Sequence, residues 1–408
     1  MVIPVFNEAA TLLDTLAGLT TDTGSILVVL VLNRPATCTD PDANTPLRLA
    51  LQQLPEHQTL ASGCHLATIA PHMTAAWIDL ETATGVTPAE KGVGLARKTG
   101  CDLALQWIAG GAIDTQWICS SDADALLPAD YFARLADNTQ DSAALLFPFI
   151  HQLSGDAVND EACLRYELRL HHYVLGLQYA GSPYAFHTLG SCLAVRASNY
   201  AQVRGFPVRS AAEDFYLLNK LAKTGEITQK TGQCIELSSR PSTRVPFGTG
   251  PAIQRLIAST QMAQAELYYD PSCFNSLRAV LLAIETLYDD DLAMTWQLQT
   301  NGLALSEAEL CASLLETMGI GSALAHCRRQ AGDLATYTRH FHQWFDGFRT
   351  LKFIHGLRDA GWPDLSAAAL ADRHEDFWPG RVRPEQLLDC RAAILDYWQW
   401  LSDDPERC

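Results

Sequence analysis

Apolar positions form short runs near the start of the chain and fall into helical spacing towards its end. Residues 2–6 and 26–32 are runs rich in Val and Ile, the pattern of strands buried in a parallel sheet. Between them, residues 8–19 carry Leu12, Leu13, Leu16 and Leu19 at helical spacing. Strand, helix, strand in that order predicts a βαβ unit, with the second strand stopped at Asn33-Arg34-Pro35. Residues 47–54 read as helix, 65–70 as strand and 71–90 as a loop with a short element in it. The stretch from Glu90 to Gly100 opens a helix whose shared face is Val93, Ala96, Gly100, Leu103, Ala104 and Trp107. Residues 116–121 then read as a strand running into Asp122, and another helix starts near Pro128. Strands over 143–150 and 189–195 and a helix over 212–223 follow, around an amphipathic, aromatic stretch at 160–186. From about residue 251 the strand pattern stops. Helical spacing then runs through 253–268, 275–287, 306–318, 334–357 and 385–401. The pattern predicts an α/β domain over residues 1–250 and a helical one over 251–408.

Composition changes this picture in three places. Apolar residues make up 48% and charged residues 18%, enough for a core and too apolar for a disordered chain. The net charge of −17, from 46 acidic and 29 basic residues, repels nucleic acid and anionic lipid surfaces. It also repels any phosphate-bearing small molecule, so a site for one needs a local cation. The 12 cysteines include no CxxC pair and no dense framework, which points to reduced, buried thiols. Residues 1–8 have no basic stretch of the signal-peptide kind, and the longest apolar run is Ile26 to Leu32. That is far below the roughly 20 residues needed to cross a bilayer. The expectation is a cytoplasmic protein with no integral membrane segment and no nucleic-acid partner.

Candidate chemistry collects at strand ends. The tripeptide Asp122-Ala123-Asp124 follows a strand and so lies at the carboxyl edge of an α/β sheet, where ligands bind. Its carboxylates suit Mg²⁺ or Mn²⁺, hard cations that bridge phosphates. Two other tripeptides, Asp40-Pro41-Asp42 and Asp289-Asp290-Asp291, lack that setting and read as solvated turns. Pro4-Val5-Phe6-Asn7-Glu8 closes the first strand, where Asn7 and Glu8 either cap a helix or meet a ligand at the sheet edge. Lys91 and Arg97 border a helix start that could receive phosphate. Glu213-Asp214 opens a helix, either as favourable charge on its dipole or as a general base. Arg240 and Arg244 lie in a basic, glycine-containing stretch suited to an anion or to surface ion pairs. His171, His172, His340 and His342 lack the spacing of a helical metal pair and read as structural. No P-loop, GxGxxG or Ser/His/Asp arrangement is recognisable.

In this order the segments resemble the GT-A glycosyltransferases, most closely the family 2 type. The residues that carry the likeness are Pro4-Val5-Phe6-Asn7-Glu8, Lys91-Gly92 with Ala96-Arg97 and Gly100, and Asp122-Ala123-Asp124. Gly190-Ser191 with Arg196, Gly205-Phe206-Pro207 and Glu213-Asp214 continue it, so that it covers about residues 2–250. The resemblance implies a Rossmann-like mixed sheet flanked by helices, followed here by a helical C-terminal region. It implies a nucleotide-diphosphate sugar donor and a Mn²⁺ or Mg²⁺ ion held by Asp124, with Asp122 helping through metal or ribose. Pro4, Phe6, Asn7 and Glu8 would line the nucleotide pocket, with Lys91 and Arg97 towards the base or diphosphate. Asp214, beside Glu213, would deprotonate the acceptor hydroxyl, and Arg240 and Arg244 would steady the leaving diphosphate. The family usually ends its second strand on an acidic base contact; here Asn33 stands there. The Q-x-x-R-W motif of membrane-embedded processive synthases is absent, which points to transfer of single sugars. The acceptor has no motif. A nucleotidyltransferase lacks its glycine-rich basic signature here, and a non-catalytic binding module is the other alternative.

Overall fold

The structure is a computed structural model. It describes residues 1–22, 24–136, 141–240, 248–288, 293–371, 373, 378–379 and 386–403. The chain divides into two compact units. The first is built mainly from Met1–Asn159 and Thr188–Gln254, and the second from Asp160–His187 and Arg255–Trp400. The stretch Asp160–His187 therefore goes with the helical unit, although it lies before residue 251 in sequence.

The first unit holds strands β1 (Val2–Val5), β2 (Ile26–Leu32), β3 (Gln58–Thr59), β4 (His65–Ala70) and β5 (Met73–Asp79). β6 (Trp117–Ser120), β7 (Ser142–Leu146), β8 (Phe149–His151), β9 (Leu193–Arg196), β10 (Glu226–Gln229) and β11 (Ile235–Leu237) follow. Nine of them form one mixed sheet in the order β10-β7-β9-β6-β1-β2-β5-β4-β3, while β8 and β11 pair separately. The centre β6-β1-β2-β5 is parallel, and β9 runs antiparallel between β6 and β7.

Alternation along the strands sorts residues onto two faces. Ile3, Val5, Val28, Leu30, Leu32, Ala75 and Trp77 face one way and pack against Leu12, Leu13 and Leu16 of α1 (Leu12–Ala17) and Leu47 and Leu51 of α2 (Thr45–Gln52). The short α3 (Leu80–Thr84) follows β5 directly. On the other face lies α4 (Gly92–Ala109); a Cβ on its Gly100 would strike Val2 and Val31, so the helix sits hard against the sheet. A proline in a central strand is unusual. Here Met1 and Val5 bond to β2, whereas the Val2 carbonyl accepts from Ser121 on the opposite side. The Pro4 nitrogen falls on that opposite side, where pairing with β6 is confined to Val2 and Ser120, so no ladder bond is lost.

Five elements differ from the sequence pattern, the first being the helical stretch 253–268, which stops at Ala258 and is followed by a 3₁₀ turn at Met262–Gln264. Residues 71–90 contain β5, a strand paired on both sides, with β2 and β4. The helix expected near Pro128 is only a 3₁₀ turn at Ala133–Leu135. The run 143–150 breaks at Pro148 into β7 and β8, which belong to different sheets. The helical stretch 334–357 is interrupted where Asp346 caps a new helix through the Arg349 amide (3.1 Å).

The remaining helices are α5 (Ala157–Tyr179), α6 (Ala197–Gln202), α7 (Glu213–Leu221), α8 (Thr249–Ala258), α9 (Pro271–Thr286), α10 (Met294–Thr300), α11 (Leu305–Thr317), α12 (Ile320–Gln330), α13 (Leu334–Trp344), α14 (Gly347–Ala360), α15 (Ala367–Ala371) and α16 (Leu387–Asp403). The core of the second unit includes Phe274, Tyr337, Phe341 and Phe353. The buried Glu167 pairs with Arg391 at 2.6 Å in the same unit. His172 is structural: its ring nitrogens meet the Tyr269 carbonyl and the Trp378 indole, both at 2.8 Å, and burial lowers its pKa to about 4. Among the described residues no single helix is long and apolar enough to cross a membrane. The described cysteines are free, and all but Cys38 and Cys234 are buried.

Candidate active site

The parallel register brings Val5, Leu32 and Asp79 level, so β1, β2 and β5 end on one line. β6 ends earlier, with Ser120 level with Val2, and the following residues carry Asp122 and Asp124 along that edge. Asn7, just beyond β1, adopts a left-handed φ of 55°. Asn tolerates that region better than most residues. Its amide donates to the buried Asn44 side chain at 2.9 Å, and Asn44 in turn donates to the Asn33 carbonyl at 3.2 Å. Asn44 thus ties the ends of β1 and β2, and Asn33 is largely buried in that tie.

Beside it, Asp79 is pinned by Arg48 at 2.6 Å and by Thr82, whose helix turn it caps. Burial acts to raise its pKa, but these hydrogen bonds outweigh burial and hold it below the ordinary value. Glu81 closes the group with Arg34 at 2.6 Å and Arg48 at 3.3 Å. Neither Asn44 nor this charged cluster was singled out by motif. The signal available was polar residues bordering two apolar runs, which is weak alone.

Arg97 is deeply buried, only 4% exposed. Its Nε donates to Glu213 at 2.9 Å and its Nη2 to Asp122 at 2.5 Å. Its Nη1 donates to the Ser120 hydroxyl (2.8 Å) and to the Gly190 (3.1 Å) and Ser121 (3.3 Å) carbonyls. Burial works against this charge, but the Asp122, Glu213 and Asp214 carboxylates outweigh it and raise the pKa. Arg97 therefore points inward and clamps the site, where the sequence reading had it at the base or diphosphate. Arg97 lies on the buried face of α4, with Gly94, Ala96, Gly100 and Cys101.

Glycines make this clamp possible. A Cβ on Gly190 would come within 2.8 Å of the Arg97 guanidinium. A Cβ on Gly94 would meet backbone of Arg209 and Pro207 at 2.6–2.7 Å, and one on Gly92 would meet Ser210 at 2.6 Å. The start of α4 thus lies directly on the segment leading into α7. Lys91 is exposed at that helix start.

Asp214 sits in the first turn of α7, after Ala212 in a left-handed conformation (φ 59°). Its two oxygens accept from the Gly190 amide at 2.8 Å and from the Phe215 amide at 2.7 Å. Burial, helped by the neighbouring Glu213 charge and opposed by Arg97, pushes its pKa up to about 7. A carboxyl poised there can take or give a proton near neutral pH.

Glu8 and Asp124 meet through Arg240. One atom, Nη2, lies 3.1 Å from Glu8 Oε1 and 3.1 Å from Asp124 Oδ2. Arg240 is 46% exposed in its side chain, far more open than Arg97. The structure therefore joins Asp124 with Glu8 on one cation and Asp122 with Glu213 on another. Pro4 stays in the strand. Arg244 and Asp289-Asp290-Asp291 lie outside the described residues. Asp40-Pro41-Asp42 is an exposed turn, with the Asp42 amide on Asp40 at 2.9 Å.

Among the described residues, no three His, Cys, Asp or Glu side chains converge as a complete metal cage. Two carboxylates converging on one cation still fit Mg²⁺ or Mn²⁺, which commonly takes one or two carboxylates and completes its shell with phosphate and water.

No protein-family model and no curated protein matches the sequence. Among solved structures, S. aureus TarS 1–349 in complex with UDP-GlcNAc superposes with a TM-score of 0.40 at 15% identity, over 84% of this chain and 90% of that one. The mannosyltransferase PcManGT from Pyrobaculum calidifontis, in complex with GDP-Man and Mn²⁺, does so with a TM-score of 0.34 at 16% identity, over 88% and 86%. Neither superposition is close enough to decide the fold, which rests on the strand order and register above.

Proposed function

We propose that this chain is a GT-A glycosyltransferase that moves a sugar from a nucleotide-diphosphate donor to an acceptor hydroxyl. The observation that carries this reading is Asp214. Its carboxyl is fixed by the Gly190 amide, raised to about 7, and joined through Arg97 and Glu213 to Asp122. A base held in register with an acidic strand end is what an in-line displacement needs.

In this reading Asp214 takes the acceptor proton as the oxygen attacks the anomeric carbon, with inversion. Arg97 fixes the relative positions of Asp122, Glu213 and Gly190 without touching the donor. Asn7, set by Asn44, and Phe6 lie along the sheet edge that receives the nucleotide. Asp124 and Glu8 are the residues that would hold a divalent cation. The chemistry such an ion supplies is neutralisation of charge on the leaving diphosphate. Arg240 is near enough to share that task.

The test is release of nucleoside diphosphate from UDP-, GDP- and dTDP-sugars with and without Mn²⁺. Metal-dependent turnover that falls in Asp214→Asn supports the reading. No turnover together with no metal-dependent nucleotide binding would replace it with a non-catalytic module.

A further inference from the structure

We infer that Glu8 and Asp124 form a single cation position and that the Arg240 guanidinium is its built-in occupant, so that a divalent ion and Arg240 compete for it. This rests on the reading of Asp124 and Glu8 as metal ligands, and adds Arg240 as the competitor.

The geometry is specific. The two carboxylates come from places 116 residues apart or more relative to Arg240, yet both reach the same nitrogen at 3.1 Å. One donor atom shared by two carboxylate oxygens marks a point where positive charge is favoured from two sides. A divalent ion would be attracted to the same point more strongly, because its charge is twice as large and its radius smaller. A guanidinium and a metal ion cannot both occupy it. The contrast with Arg97 supports displacement. Arg97 is enclosed and engages five acceptor groups, whereas Arg240 is half exposed and can swing out at little cost.

Two consequences follow. Metal binding to the free protein is weakened by the cost of expelling Arg240. The expelled guanidinium is then available to a diphosphate arriving with the metal, so donor and metal bind better together than apart. The acidic site keeps its charges compensated until both ligands are present.

The experiment titrates the full chain with Mn²⁺ alone and counts free Mn²⁺ by electron paramagnetic resonance, with thermal melts to verify folding. Arg240→Gln is expected to lower the Mn²⁺ dissociation constant by roughly three- to tenfold, the range for removing weak competing ion pairs. Arg240→Lys keeps the charge and is expected to stay near wild type. Adding Glu8→Gln or Asp124→Asn to Arg240→Gln should abolish the gain. No tightening in Arg240→Gln, or a gain that survives both second substitutions, overturns the inference. If sugar release is metal-dependent while Arg240→Gln binds Mn²⁺ as wild type does, the competition is wrong and the transferase reading stands. If Arg240→Gln tightens Mn²⁺ but wild type shows neither turnover nor metal-dependent binding of any nucleotide sugar, the cation position stands and the transferase reading falls.

Discussion

Two arginines, 143 positions apart in numbering terms (97 and 240), hold carboxylates at the same sheet edge in opposite ways. Arg97 is sealed beneath α4 and spends its donors on the protein itself. Arg240 lies at the rim and spans Glu8 and Asp124 with a single nitrogen. The inner region fixes geometry, and the rim holds charge that can be exchanged. Like ionic chemistry thus serves two purposes, and burial decides which.

The largest effect is expected at the inner arginine. Arg97→Met leaves Glu213, whose side chain is 5% exposed, without its cation. Breaking a buried pair in this way costs about 3–5 kcal/mol, which urea unfolding would measure. A loss below 1 kcal/mol would mean that the clamp is not a structural one.

Next comes Asp214→Asn. Turnover should fall by about 10²–10⁴-fold while nucleotide-sugar binding holds, read as kcat against Kd. The wild-type rate should rise with pH through about 7, as Asp214 loses its proton, and this limb should vanish in the variant. Stability runs the other way. A carboxyl with a raised folded pKa binds its proton more tightly in the native state, so wild type loses stability as pH rises from about 4 to about 7. Asp214→Asn should lack that loss, which melts at pH 4 and pH 8 would reveal.

A smaller change tests the packing. Gly190→Ala places a methyl 2.8 Å from a guanidinium that is pinned on every side and cannot yield. The expected cost is about 1–3 kcal/mol, seen as a lower Tm. Smallest of all, Arg240→Gln should change stability by less than about 1 kcal/mol, because the Arg240 and Asp124 side chains are 46% and 37% exposed. A cost as large as that of Arg97→Met would erase the distinction between the two regions.

The sequence made part of this legible. β1, β2 and β6 are apolar runs buried in the sheet, and such runs are a strong signal. β5 was hidden because Ala75 and Ala76 at its centre carry little strand preference; its place between β2 and β4 overrides that. Asp122-Ala123-Asp124 could be chosen over two decoys by its position after a strand. Which carboxylate meets which arginine could not be read, because those partners are separated by long stretches of chain. The inward turn of Arg97 left a faint trace in Gly190, whose missing Cβ leaves space for the guanidinium. The role of Asn44 left none, since a buried asparagine in a turn looks like any loop residue.

The clamp around Arg97 has a bearing on how the chain acquires its shape. Its partners lie 23, 24, 25, 93 and 116 residues away. Contacts of such long range are slow to form, since chain ends must meet before any energy is returned. The clamp is therefore expected to close late, after the central strands have paired. Arg97→Met should then leave the refolding rate nearly unchanged and speed unfolding, as for an interaction absent from the transition state. A growing chain that has just passed Asp124 would lack both Glu213 of α7, which shares Arg97 with Asp122, and Arg240, which meets Asp124, so its acidic edge would be assembled only once both arrive.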